Sequence, residues 1–447
     1  MLLKNSETVE KKTNGYVEDS YLIGTGNKLS LEVFGVIKDG YDVSIGHTDD
    51  KAYTDTEKIS RIFGNLDSIG KKFYDNSLEI VKRHLGIMSL DDVHRSKLRK
   101  AYIAKADQIK EIRAALLFDV TKMPWHAQRG SALALQTITD AHDLITIDGK
   151  GKEDCKYPTM SGRIPFFDHR YMFDENDGSL EGLNLGDAIV VSRQRFYGET
   201  IEDAMNIASE QLDKLDDFFN APVTQEFKDI VVYCYDALGI RSRKQEVCNA
   251  ISKHVDQVLE NNPSKKYFTL LSIGCGTAQA ILEVAADIRN KGVDLSLILL
   301  DQDPIALAAA KNLASQMGLE DIIEVHCERL FTQRGKLLDM TEILKGRKID
   351  VAEDTGLREY LPDSIYRNLT RSLWNQLSDD GIMTTGNMNI YRPQPEFLHG
   401  LMGWSPHVIM RNIGKGFELH EASGIPKGNT KARVTRDGVY TLFFSYK

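Results

Sequence analysis

Gly274-Cys275-Gly276, set between an apolar run and a helix-like one, is the clearest chemical signal in the chain. Two close glycines let a backbone bend tightly and approach a ligand with no side chain in the way. Three ligand classes use such a bend. A nucleoside triphosphate needs GxxxxGK[ST], and the lysine and hydroxyl are missing here. A dinucleotide needs GxGxxG, and the third position falls on Gln279, bulky where close helix–strand packing wants glycine. S-adenosylmethionine has no pyrophosphate and needs a bend beside its methionine part and sulfonium. Gly274, Cys275 and Gly276 suit it, with Cys275 contributing its backbone amide rather than its thiol.

Neighbouring residues extend the ligand site. LILLDQDP ends in Asp301, followed by Gln302. A carboxylate at that strand end accepts hydrogen bonds from ribose hydroxyls, in NAD and in S-adenosylmethionine alike. Glu328, at the next strand end, is placed for the adenine amino group. Methyl transfer is an in-line displacement with a neutral leaving group. The protein mainly aligns the partners and supplies a base only where the acceptor carries a proton. A carboxylate acceptor is ionised at neutral pH and needs none. For a hydroxyl or amine, Glu353 or Asp354 is the expected base, and Tyr360 is expected to direct its hydroxyl to the acceptor. Asn387, His399, Trp404 and Arg411 lie just past a strand and are expected to line the acceptor pocket. The histidines have no metal spacing. Asp174 to Gly178 looks calcium-like but reads as a plain loop, because its glycine comes early and the closing glutamate is absent.

Strands and helices must position these groups. Apolar runs at 267–273, 295–301, 322–327, 348–354 and 381–387 read as buried strands. Helical patterns at 278–292, 304–318 and 364–377 alternate with them. Runs at 431–435 and 438–447, around Arg436-Asp437-Gly438, form a closing hairpin. The result is an α/β parallel sheet with an antiparallel edge. Residues 31–47 read as two strands about Lys38-Asp39-Gly40, and residues 89–117, 129–147, 199–219, 227–238 and 244–262 as helices. The unpatterned stretch 151–185 suggests a linker or lid.

The segment 350–389 resembles a bacterial methyltransferase family described as extracellular-factor, or 3-hydroxypalmitic acid methyl ester, biosynthesis proteins. The resemblance rests on Gly356-Leu357, Tyr360-Leu361-Pro362-Asp363, Asp380-Gly381 and Gly386-Asn387, and extends to Met402-Gly403-Trp404 and Ile409-Met410-Arg411. RSRKQEV (241–247) is similar to an arginine-rich helix start in that family. The resemblance covers about 225–447. It implies a Rossmann-like, seven-stranded methyltransferase sheet with an antiparallel last strand, S-adenosylmethionine as cofactor, and a fatty or hydroxy acid converted to a methyl ester. Such enzymes usually carry an acid two positions before the first glycine, where this chain has Ser272. Arg241, Arg243 or Asp354 is expected to compensate, Arg241 on the cofactor side. Glu353-Asp354-Thr355 also departs from the aromatic and small residues usual there.

Composition narrows the classes. A chain of 447 residues suggests roughly two or three domains. The expected division is 1–225, a mostly helical α+β region serving as lid, substrate domain or homodimer surface, and 226–447, the methyltransferase domain. A net charge of −9 argues against general nucleic-acid binding, despite basic clusters at 94–100 and 241–244. Five cysteines without a CxxC pair suggest reduced thiols in the cytoplasm. No apolar run approaches the ~20 residues of a membrane span. The alternatives to a small-molecule acceptor are RNA or protein, or a cofactor-binding regulatory module without turnover.

Overall fold

The computed structural model describes residues 40–46, 56–90, 93, 95–122, 226, 230, 233–302, 304–331, 336–395 and 409–447. Its centre is an eight-stranded sheet of β1 (Asp42–Ile45), β2 (Tyr267–Ile273), β3 (Asp294–Asp301), β4 (Ile323–Cys327), β5 (Ile349–Asp354), β6 (Leu377–Met388), β7 (Thr430–Val434) and β8 (Tyr440–Tyr446). The spatial order is β1-β7-β8-β6-β5-β2-β3-β4. β4, β3, β2, β5 and β6 run parallel, and β8 is antiparallel to both β6 and β7.

Nine helices flank these strands among the described residues: α1 (Thr56–Leu85), α2 (Arg95–Ala104), α3 (Ala106–Thr121), α4 (Tyr235–Asn261), α5 (Gln279–Asn290), α6 (Pro304–Gln316), α7 (Met340–Leu344), α8 (Asp363–Gln376) and α9 (Ile413–Ala422). The strands are apolar throughout because both faces are covered. Alternate residues feed two cores. Leu270, Leu297, Leu299 and Val351 pack toward α4, α5 and α6. Leu271, Ile298, Leu300 and Ala352 pack toward α7 and α8. Ile62, Leu66 and Phe73 of α1 form a separate cluster with Leu116 and Leu117 of α3.

The expected alternation and antiparallel β8 are present, but the sheet has eight strands rather than seven. β1 supplies the extra one, pairing in parallel with β7 from Asp42↔Lys431 to Ile45↔Val434. The strand expected on the other side of Gly40 lies outside the described residues, as do 129–147, 151–185 and 199–219. The helix expected over 89–117 is broken at Lys105, whose non-helical backbone (φ −117°) begins α3. Residues 241–247 are not a helix start: α4 runs continuously through them. Gly239 disguises that continuity. A Cβ there would lie 2.7 Å from Cβ of Val439, so the glycine permits close passage over the β7–β8 turn rather than breaking the helix. α9 was also unforeseen, since Gly414 and Gly416 weaken its helical pattern. Packing of Phe417 and Leu419, with Asn412 capping the Lys415 amide at 2.8 Å, holds it. No described helix is long and apolar enough to cross a membrane.

Candidate cofactor and acceptor site

The strand order reverses at β2, which pairs with β3 on one side and β5 on the other. Ligands of open α/β sheets bind outside the carboxyl ends of strands at such a point. The glycine turn leaves β2 there. Gly274 and Gly276 have φ of 60° and 55°, left-handed backbone that glycine adopts without penalty. Ala278 is also left-handed, at 58°, and caps α5 without a side-chain hydrogen bond. The amides of Gly274 and Cys275 donate to the Leu300 carbonyl at 2.8 and 3.3 Å, which ties the turn to β3.

Two carboxylates bracket this turn. Asp301, buried at the end of β3, accepts the Gly276 amide at 2.9 Å. Glu353, at the end of β5, lies in register with Ser272 and accepts its hydroxyl at 2.5 Å. The Thr355 amide donates to the other Glu353 oxygen at 2.9 Å, and the Thr355 hydroxyl also bonds it. The acid missing from β2 is thus brought beside Ser272 by the adjacent strand. Burial first, then Asp301 and Glu353, push the Cys275 thiol well above its ordinary range. It therefore stays a protonated thiol. Gln302 and Glu328 are exposed, one residue beyond the paired strand ends Asp301 and Cys327.

The remaining expected residues separate into different settings. Asp354 turns away from solvent and is held bidentately by Arg358, at 2.8 and 2.5 Å, with both side chains fully buried. Burial raises its carboxyl and Arg358 opposes that rise. This is the setting of a structural ion pair and gives no support to a base role. Tyr360 is half-buried at the end of the 3₁₀ turn Arg358–Tyr360, against the core. Arg241 is buried on α4. The arginine that approaches the loop after β5 is Arg243, whose guanidinium would lie 3.5 Å from a Cβ at Gly356 and stacks over Tyr440 at 4.8 Å.

Asn387 and Arg411 do not present themselves as pocket residues. They bind each other at 2.7 Å, Arg411 Nη1 donating to the Asn387 side-chain oxygen. Arg411 also donates to the carbonyls of Arg358 and Leu361 and to Asp363. Asn387 donates to the Ile409 carbonyl at 3.0 Å. The pair staples the loop after β5 to residues 409–411. Asn387→Ala is expected to cost about 1–3 kcal/mol of stability, because buried donors lose their acceptor. Urea unfolding checks this, with unchanged binding of S-adenosylhomocysteine separating a staple from a ligand contact. His399 and Trp404 lie outside the described residues.

Sequence reasoning missed Glu359. It is buried next to Tyr360, and one carboxyl oxygen has no hydrogen-bond partner. Burial raises its carboxyl to about 7, with Arg243 and Arg411 pulling the other way. A carboxyl raised on folding favours the protonated native state. Its contribution is complete below the ordinary 4.5 and is lost as pH rises to about 7. Wild type is therefore expected to lose stability relative to Glu359→Gln across that window. Unfolding midpoints of the two proteins at pH 5 and pH 8 check it, and a pH-independent difference would contradict it.

No family model matches the chain, and no curated protein matches it. Solved structures do, at low identity. A possible exported protein from Bordetella parapertussis is 16% identical, with a TM-score of 0.39, over 61% of this chain and 99% of that one. The CMeT domain of the citrinin polyketide synthase is 12% identical, with a TM-score of 0.38, over 90% and 99%. An S-adenosylmethionine-dependent methyltransferase from Clostridium acetobutylicum is 11% identical, with a TM-score of 0.30, over 44% and 91%.

Proposed function

We propose that the chain is a methyltransferase that binds S-adenosylmethionine across the Gly274–Gly276 turn and acts on a small molecule. The observation that carries this reading is the bracketing of a left-handed glycine turn by Asp301 and Glu353 at the switch point of the sheet. The residues fit the cofactor. Asp301 suits the ribose hydroxyls, while exposed Gln302 and Glu328 flank the adenine side. Ala278 offers α5 no side-chain cap, so the helix start favours a carboxylate such as that of the methionine part. Glu353, beside Ser272, supplies the negative charge that suits a cationic sulfur.

When bound, S-adenosylmethionine supplies an activated methyl group on a neutral leaving group. The protein then has to align an acceptor and exclude water. The acid acceptor implied by the sequence resemblance would need no base. For an acceptor hydroxyl, Glu359 is the better base than Asp354, because Asp354 is committed to Arg358 while Glu359 keeps an unpartnered oxygen. Residues 226–447 carry the transferase site in this reading. Helix α1 packs against this part of the chain, since Phe63 of α1 meets Tyr235 of α4 edge-on at 5.1 Å.

Calorimetric titration with S-adenosylmethionine, S-adenosylhomocysteine and NAD tests the reading. Saturable binding of both adenosyl sulfur ligands, with NAD weaker, is expected. Preference for NAD, or no binding of any of the three, would contradict it.

A further inference from the structure

Beyond the carboxyl end of β6, three buried polar side chains meet and leave atoms unpartnered. Asp236 stands in the first turn of α4, while Arg392 and Gln394 lie in the chain just after β6. They are 7%, 2% and 3% exposed. Arg392 Nη1 pairs with Asp236 Oδ1 at 2.7 Å, a buried ion pair. Arg392 directs Nη1 to Met388 Sδ at 3.4 Å and Nε to the Pro393 carbonyl at 3.2 Å. Arg392 Nη2 and Asp236 Oδ2 remain without partners. Gln394 donates Nε2 to the Phe63 carbonyl at 2.8 Å, which leaves its Oε1 unpartnered. The edge-on contact of Phe63 and Tyr235 closes the ring, so α1, α4 and the β6 turn converge here.

Buried polar atoms are nearly always hydrogen-bonded in native proteins. Gln394 is also held at φ 55°, a left-handed backbone that non-glycine residues seldom adopt. Strain and unsatisfied polarity together are the features of a ligand site rather than of packing. The position agrees, since ligands of such sheets bind outside the strands' carboxyl ends. Arg243, which faces the loop after β5, stands about 10 Å further along the same helix from Asp236, two turns at the usual rise.

We propose that Asp236, Arg392 and Gln394 recognise the methyl acceptor through a neutral carboxamide-type group. The inventory sets this choice. One donor, Arg392 Nη2, takes a carbonyl oxygen. Asp236 Oδ2 and Gln394 Oε1 accept, and so take the two N–H bonds of an amide. A carboxylate brings only acceptors and sets its charge against Asp236. An ammonium group brings only donors and sets its charge against Arg392. That the ligand is the methyl acceptor rests on the methyltransferase reading; the site itself does not.

The test uses the full chain saturated with S-adenosylhomocysteine and titrated by NMR with benzamide, benzoate and benzylamine, which share a ring and differ in head group. Benzamide is expected to bind about tenfold or more tighter than the other two, the difference one well-placed hydrogen-bonded group makes. Arg392→Met and Gln394→Met are each expected to weaken it by about fivefold or more, with S-adenosylhomocysteine affinity unchanged. Equal or tighter binding of benzoate or benzylamine, no saturable benzamide binding, or benzamide binding that survives both substitutions would overturn the proposal. The wild-type comparison decides it even if a variant fails to fold. Failure of S-adenosylhomocysteine to bind would remove the methyltransferase reading alone, because the same three probes on the unliganded chain still decide whether the site exists.

Discussion

Arg358→Met is expected to cost about 3–5 kcal/mol of stability, the usual loss when one partner of a buried ion pair is removed. Arg358 is fully buried and holds both oxygens of Asp354, which is equally buried. It also donates to the Tyr366 carbonyl and the Thr370 hydroxyl at 2.9 Å, and stacks over the Tyr366 ring at 4.6 Å. Methionine keeps much of the volume but leaves a carboxylate in a dry site. The double variant Asp354→Leu/Arg358→Met is expected to recover a large part of the loss, because an apolar pair often replaces a buried ion pair at little cost. Urea unfolding followed by tryptophan fluorescence is the measurement, since Trp374 lies on the buried face of α8, the helix that also carries Tyr366 and Thr370. A loss below about 1 kcal/mol for the single variant would mean that Asp354 is not held as described, and would return it to consideration as a base.

Asp301→Ala is expected to weaken S-adenosylhomocysteine binding by about ten- to a hundredfold, since hydrogen bonds to a charged acceptor contribute about 1.5–3 kcal/mol. The loss has two sources. The ribose hydroxyls lose their acceptor, and the Gly276 amide loses the carboxylate that fixes the turn. Asp301→Asn separates them. Its side-chain oxygen still accepts from Gly276, so a small loss in Asn and a large one in Ala would assign most of the effect to the turn. Comparable losses in both would assign it to the ribose. Unchanged affinity in Asp301→Ala would place the ligand elsewhere.

Much of the sheet was legible in the sequence because its strands are buried on both faces. LSLILLD cannot be covered on one side only, and such runs mark their own boundaries. The glycine turn and Asp301 were legible for a similar reason: their chemistry is local, and the next strand end follows the turn at a regular interval. What the sequence hid depends on contacts between distant segments. Ser272 reads as a missing acid until β5 places Glu353 in register beside it. In the sequence Asn387 and Arg411 read as polar residues past a strand end, a fair pattern for pocket lining, whereas Asn387 is paired within β6 opposite Thr441. Only the fold shows them bonded to each other and to the carbonyls of the 358–361 segment. Asp354 follows the same logic, because nothing in the local pattern says that Arg358, four residues on and past a turn, faces it. Gly239 reads as a helix end until Val439 appears across from it. Asp236, Arg392 and Gln394 carry no shared motif at all, and they meet because α4 passes the turn that follows β6.

The most direct measurement is a crystal structure of the chain grown with S-adenosylhomocysteine. The account predicts the ribose hydroxyls within hydrogen-bond distance of Asp301, the amino acid part along the Gly274–Gly276 turn, and the sulfur on the Glu353 side. Ligand density lying away from that turn, or a turn that rearranges to lose the Gly276–Asp301 hydrogen bond, would contradict it.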